Sequence, residues 1–343
     1  MTRRSGRPSS LWRGVRQWVD PFVVAIVLAL LIGVVVPVPD DVRGVLDVVT
    51  DVAIALLFLL YGARLPTREI WRSLTNWRLQ GSLLVATFVA FPLAGLALSA
   101  AVGPLVGQGI AVGLLCVSLL PSTVNSAVAF TSVARGDVAG AICGATVSNV
   151  VGMVATPLLV LGLMSGVVAG DGAVGVDGLQ TVLLQLLAPL VLGQLLQPWV
   201  GGLVRRHKAV TTAVDRGTIL LIVFTAISGA TAEGIWADMT VWVVLVLVGS
   251  AGVLLGVMLA ATWWGGRALG MPRDQRVTLL LVGGMKSLAT GLPMASALLP
   301  AATLAVVVVP LVVFHQLQLV VCSVLARRLG QEPVPAEAGS GRD

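Results

Sequence analysis

The sequence predicts an all-α membrane protein of ten transmembrane helices, arranged as two inverted five-helix repeats. Three observations carry that expectation: the composition is too apolar for water, the apolar residues gather in runs of bilayer length, and the basic residues collect on one side of the implied membrane. Of the 343 residues, 57% are hydrophobic and 11% are charged, whereas a soluble domain carries about 25% charged residues. Spans of ~20 residues with short connections use up nearly the whole chain and leave no length for a separate soluble domain.

Apolar runs occupy 20–38, 43–62, 79–101, 108–134, 138–165, 179–200, 216–231, 239–264, 276–299 and 302–326, each bounded by charged or Gly/Pro-rich residues. Backbone groups in hydrocarbon must pair within a helix or around a closed barrel, and the alternating pattern of barrel strands is absent, so every run reads as a helix. With a cytoplasmic N-terminus, the inside segments hold all the basic residues except Arg43 and Lys286. The outside segments hold Asp40, Asp41, Asp171, Asp177, Glu233 and Asp238. An even number of spans returns the C-terminus to the cytoplasm, where Arg327 and Arg328 close the last helix. The expected location is the cell (inner) membrane, multi-pass, with both termini cytoplasmic.

The net charge of +6 is spread over many short loops instead of forming a stripe, which argues against nucleic acid as a partner. Cys116, Cys143 and Cys322 lie inside apolar runs without metal-ligand or redox spacing and read as packing residues. No small-residue cleavage site follows the arginine-rich N-terminus, so the first span is expected to stay uncleaved. Residues Leu11 to Val19 mix Trp12, Val15 and Trp18 with Arg13 and Arg16. That pattern suits a short interfacial helix, and a disordered basic tail fits equally. The expected organisation is a tail at 1–19, a first repeat at 20–165, an extracytoplasmic linker at 166–178, a second repeat at 179–328 and a tail at 329–343. Five spans is an odd number, so equivalent halves enter the membrane from opposite sides, as in many secondary transporters.

The fourth run of each half is interrupted, by Pro121-Ser122-Thr123-Val124-Asn125-Ser126 in one and Gly283-Gly284-Met285-Lys286-Ser287 in the other. Proline and paired glycines loosen a helix, and the freed backbone groups can then face a ligand at the midplane. Lys286 lies ~15 Å from the start of its run, about half the hydrocarbon thickness, where a lysine costs about 3 kcal/mol. Its charge therefore calls for an aqueous cavity, a counter-charge such as Asp51 or an anionic substrate; helix-end carbonyls alone would also satisfy it. In the fifth run, Thr146, Ser148 and Asn149 reach a similar depth, and the step from Thr146 to Asn149 puts those two on one face. With Thr123, Asn125 and Ser126 they form a candidate polar pocket for an alkali cation or a polar solute, although small polar residues also serve close helix packing. His315 and Gln316, with Gln318, form a further intramembrane cluster, suited to proton relay or to a hydrogen bond with a neighbouring helix.

No nucleophile elbow, zinc-protease motif, P-loop or aspartate pair is present, so an enzyme is not expected, and coupling must draw on an ion gradient. The breaks resemble those of the bile acid:sodium symporter family, in particular its bacterial SBF-like branch. The resemblance is carried by Asp20-Pro21-Phe22, Tyr61-Gly62-Ala63-Arg64-Leu65, Pro121 to Ser126 with Gly136-Asp137, Ser148-Asn149, Pro189-Leu190-Val191-Leu192-Gly193-Gln194, Lys286-Ser287-Leu288-Ala289-Thr290-Gly291 and His315-Gln316. It implies ten helices in two inverted repeats, a panel of spans 1, 2, 6 and 7, and a core in which broken spans 4 and 9 cross beside sodium and substrate sites. The family's well-studied members place acidic and amide sodium ligands at the span 9 crossing, where this chain has Gly283, Gly284, Met285 and Lys286. Sodium coupling, proton coupling through Lys286 and passive exchange of an anion all fit these residues.

The function expected is secondary transport of a small organic anion by alternating access. Lys286, Ser287, Thr290, Thr123, Asn125 and Ser126 are the substrate-binding candidates, and Thr146, Ser148, Asn149, Asp51, His315 and Gln316 the coupling candidates. Sodium, at Asn125, Ser126 and Asn149, is the one ion implied; no other cofactor and no protein partner is, beyond membrane lipids and the anion. A membrane regulatory or scaffold protein on a transporter fold is the alternative.

Overall fold

The computed structural model describes residues 21–36, 38–64, 76–164, 186–232, 234, 236, 239–299 and 301–332. Those residues form helices and connections with no strand. The expected interfacial segment at 11–19, the linker at 166–178, the start of the sixth run and the end of the C-terminal tail lie outside them.

Twelve helices follow in order: α1 (Pro21–Val35), α2 (Asp40–Arg64), α3 (Trp77–Val106, with a π-helical segment at Ala86–Ala90), α4 (Gln108–Leu119), α5 (Asn125–Val133) and α6 (Val138–Met164, π-helical from Val160). Then come α7 (Ala188–Arg206), α8 (Lys208–Ala232), α9 (Val241–Ala268), α10 (Arg273–Gly283), α11 (Leu288–Leu298) and α12 (Ala301–Gln331). Among the described residues, seven stretches are long and apolar enough to cross a membrane: α2, α3, α6, α8, α9, α10 with α11 taken together, and α12. The expectation was ten. The first and fourth runs yield helices that are apolar but shorter, and α7 starts just after undescribed residues.

Both interruptions have local causes. Leu120 turns to an extended conformation (ψ 156°), as the residue before a proline must, and the chain stays non-helical until Asn125. In the ninth run α10 ends at Gly283, and Ser287 opens α11 as its N-cap, its hydroxyl accepting from Thr290 N at 3.2 Å. Asp137 caps α6 in the same way, accepting from Gly140 N at 2.8 Å.

Helices α1, α2, α7 and α8 pack on one another, and α8 also lies against α11 and α12. Helices α3 to α6 pack with α9 to α12. The α2–α7 contact is backbone against backbone: a Cβ on Gly62 would sit 2.1 Å from Leu190 O, and one on Gly193 2.0 Å from Leu59 O. Only glycine at both positions permits that approach, the device by which small residues bring membrane helices together. Polar side chains tie α8 to the end of α1, where Ser228 Oγ donates to Val36 O at 2.9 Å and accepts from Val38 N at 2.8 Å. Arg64 at the end of α2 pairs with Asp215 of α8 at 3.0 Å.

Candidate functional site at the crossing of the broken helices

The two breaks meet: Ser287 N donates to Pro121 O at 2.8 Å, and Ser122 Oγ donates to Val282 O. Each interruption thus supplies acceptors the other needs, and side chains of α6 take most of what is left. Ser148 Oγ accepts from Ser122 N at 3.0 Å, Asn149 Nδ2 donates to Ser122 O at 2.8 Å, and Thr156 Oγ1 donates to Leu119 O at 2.8 Å. Gly152, on the same face, is pressed on Pro121, whose Cβ lies 2.8 Å from where a Cβ would stand.

Lys286 is 2% exposed, and its ammonium bridges two other helices. Nζ donates to Leu120 O at 2.6 Å and to Thr87 O at 2.9 Å, and lies 4.1 Å from the centroid of the Phe91 ring. The Leu120 carbonyl is at the C-terminal, electronegative end of α4, and Pro121 prevents the helix from continuing to satisfy it. The Thr87 carbonyl is free for a different reason. The π-helical segment gives the Phe91 N–H to Ala86 O, and the next residue, Pro92, has no N–H to offer. Proline and the widened turn together leave one inward carbonyl, which the lysine takes. A π-facing contact with Phe91, itself edge-on to Phe314 at 6.2 Å, adds a further attraction for the cation.

Gln318 of α12, fully buried, fixes the lysine backbone. Its Oε1 accepts from Lys286 N at 2.8 Å and its Nε2 donates to Lys286 O at 2.7 Å, while His315 Nδ1 lies 2.9 Å from the same nitrogen. Gln318→Leu keeps the volume and removes both bonds. Leaving two buried backbone groups unpaired costs about 1–3 kcal/mol each in water-soluble cores, less where membrane alternatives exist. A loss of roughly 2 kcal/mol in a thermal or denaturant melt is expected, with Gln318→Glu, which keeps the acceptor, in between.

Of the sequence-predicted residues, Lys286, Ser287, Ser148 and Asn149 are brought together here. Thr123 and Thr290 are buried nearby in the two breaks, the hydroxyl of Thr290 without a hydrogen-bond partner, as is Asn149 Oδ1. Asn125 is exposed on the first turn of α5 and Ser126 half-buried. Thr146, three residues before Asn149 on α6, is half-buried, and its hydroxyl returns to Ile142 O of its own helix. The face that meets the break is Ser148, Asn149, Gly152 and Thr156. Asp51 is not at the crossing but lines a separate cleft of about 200 Å³ between α2, α8, α11 and α12, with Asp47, Thr50, Thr225 and Ser296. His315 and Gln316 are half-buried on α12, Gln316 Nε2 lacking a partner. The cavity beside Lys286 is about 10 Å³, space for about one water and no solute. Thr87, Phe91 and Thr156 carry no mark in the sequence, and Ser122 and Gln318 are marked there only as members of a break and of a polar cluster. Pro92, fifteen residues after the start of a helix that continues past it, and Gln318 one turn from His315 were the available signals.

The described residues hold apolar helices of membrane-spanning length and two broken runs that meet at a buried lysine seated on freed backbone carbonyls, the features of a membrane protein with an irregular polar site in its interior. The chain belongs to the SBF-like CPA transporter family, whose model matches residues 20–331. It is 40% identical over 319 residues to the uncharacterized protein PA2026 of Pseudomonas aeruginosa, covering 93% of this chain and 95% of that one. It is 37% identical over 319 residues to YfeH of Escherichia coli, a provisionally named symporter, with the same coverage of 93% and 95%. The sodium/bile acid cotransporter 7-B of Xenopus laevis is 25% identical over 316 residues, 90% of each chain. The resemblance carried by the two breaks is thereby shown to be membership.

Proposed function

We propose that this protein is a secondary transporter of a small organic anion that works by alternating access, with Lys286 as a fixed cation where its broken helices cross. Ten spans in two inverted repeats, an inner-membrane location and cytoplasmic termini complete the reading, supported by the charge distribution and by relatives named as symporters and cotransporters. The observation that carries it is the ammonium of Lys286 on the carbonyls of Thr87 and Leu120. Carbonyl oxygens at a helix end and an unwound turn are what an alkali cation takes in such folds; here the chain provides the cation itself, so the crossing needs no sodium. The positive charge travels with α4, α5, α10 and α11 as they move as one body, and gives an incoming anion its counter-charge once that body shifts and opens the small cavity beside Ser287. Asn149 Oδ1 and the Thr290 hydroxyl, unpaired in this conformation, supply polar contacts to solute or ion.

The test is uptake by purified protein in proteoliposomes, with a panel of small carboxylates and sulfonates and their neutral amide analogues. At least one anion is expected to accumulate, and its uptake to be unchanged within about twofold when choline replaces sodium. Transport confined to neutral or cationic solutes, or anion uptake that stops without sodium, contradicts the reading.

A further inference from the structure

A groove of about 500 Å³ lies between the first half of α3 and the last half of α9, away from the crossing and on the surface of the molecule. Its wall on α3 runs from Trp77 to Ala90 and on α9 from Met258 to Leu269. At ~1.5 Å per residue the groove is roughly 16–20 Å long, about the depth of one leaflet's hydrocarbon. The lining is almost wholly apolar, and small residues, Gly81, Ala261 and Gly265, keep it open. A Cβ at Gly81 or at Gly265 would meet nothing within 4 Å.

One end of this groove is basic and aromatic. Trp77 and Trp264 are exposed there, at 74% and 60%, as interfacial tryptophans are. Arg78 lines the groove; Arg267, 5.8 Å from the Trp264 ring centroid, is on the opposite face of α9 from the lining Ala261 and Gly265. Arg276, one turn of α10 before the lining Leu279, stacks on Trp263 at 4.3 Å with its Nε buried and unpaired. Two carboxylates are near this end: Asp137, which caps α6, and the exposed Asp274. The arginines belong to segments that the charge bias puts on the cytoplasmic side.

We infer that this groove is a binding site for an anionic phospholipid of the inner leaflet, one acyl chain lying along α3 and α9 and the phosphate at Arg78. The match in depth, the apolar lining and the cationic mouth select a lipid over a soluble anion, which has no use for the groove, and over a partner helix, which has no use for the arginines. The site touches α3 and α10, so its occupancy bears on the helices that carry Thr87 and the approach to Lys286.

The test uses full-length protein purified in mild detergent and stripped of lipid. Phosphatidylglycerol and phosphatidylcholine with identical chains are added in parallel, with chain-free glycerol phosphate as a third arm, and retention by native mass spectrometry is read alongside the melting temperature. Phosphatidylglycerol is expected to be retained and to raise the melting temperature, with preference over phosphatidylcholine falling roughly fivefold for Arg78→Gln and staying unchanged for Arg267→Gln, on the far face of α9. Gly265→Leu, and independently Gly81→Leu, fill the groove from open space and are expected to abolish retention of both lipids while the protein stays folded. Equal retention of the two lipids by the wild type, phosphatidylglycerol retained undiminished by both filled variants, or full stabilisation by glycerol phosphate overturns the proposal. So does a change of oligomeric state in the filled variants with lipid retention unmoved, which would make the occupant a second copy of the chain.

Discussion

Lys286→Ala is expected to abolish transport in a protein that still inserts and folds, and to make its stability respond to sodium for the first time. The variant loses the donors to Thr87 O and Leu120 O and the contact with Phe91. Unpaired buried acceptors cost about 1–3 kcal/mol each, but the variant no longer buries an ammonium at a depth where that costs about 3 kcal/mol. The two effects nearly offset, so the net loss of stability stays within ~2 kcal/mol. Function is not compensated in this way: removing the charge that pairs with a buried anion costs about 2–5 kcal/mol of binding, and uptake falls at least ~30-fold. The vacated carbonyls, still aimed at one point by a helix end and a π-helical turn, then suit a small cation. Sodium is expected to leave the melting temperature of the wild type unchanged and to raise that of Lys286→Ala in a saturable manner, with potassium and choline as controls. A sodium response in the wild type that disappears in the variant would show that the ammonium does not stand in for an ion.

The largest loss of stability is expected at the α2–α7 contact. In Gly193→Val or Gly62→Val the new Cβ falls 2.0 or 2.1 Å from a backbone oxygen of the facing helix, so no side-chain rotation relieves it and the helices must part. Overpacking typically costs 1–3 kcal/mol and occasionally more; a clash against backbone belongs at the upper end, about 3 kcal/mol or above. Gly249→Ala and Gly256→Ala on α9, where an added Cβ meets nothing within 4 Å, serve as controls and are expected to be neutral or stabilising by about 0.5–1 kcal/mol. Size-exclusion recovery and melting temperature across the four variants read the difference. Equal behaviour of all four would mean that α2 and α7 do not approach this closely.

Much of the architecture was legible because a bilayer imposes simple rules on a chain. Run lengths marked the helices, and charged or glycine-rich borders marked some of their ends closely: α2 ends at Arg64 and α8 at Ala232, against expected ends at 62 and 231, whereas α8 begins at Lys208, eight residues before the expected 216. Both breaks were legible too, since Pro121 and Gly283-Gly284 act on their own backbone. Lys286 stood out because a charge at mid-depth is costly wherever the rest of the chain goes.

What the sequence did not disclose was who answers that charge. Asp51 was a reasonable partner by depth alone, yet it lines another cleft, and the ammonium rests on carbonyls, which every residue has and no sequence pattern marks. Thr87 O became available through a register shift in α3 together with Pro92, and it meets Lys286 across 199 residues of chain. Gln318 looked like one of several amides on α12 until packing put both ends of its carboxamide on the backbone N–H and C=O of one residue, Lys286. Thr146 and Asn149 are three residues apart, but which of them faces the break depended on where 119–122 lay against α6. The sequence by itself determined a membrane protein of apolar helices, the positions of its two breaks and the presence of a deep charge, because hydrophobicity, proline and glycine act locally. The crossing of the breaks, the carbonyl seat of the lysine and the glycine-on-backbone contact of α2 with α7 were decided by tertiary structure alone, because each depends on groups that only folding brings within 3 Å.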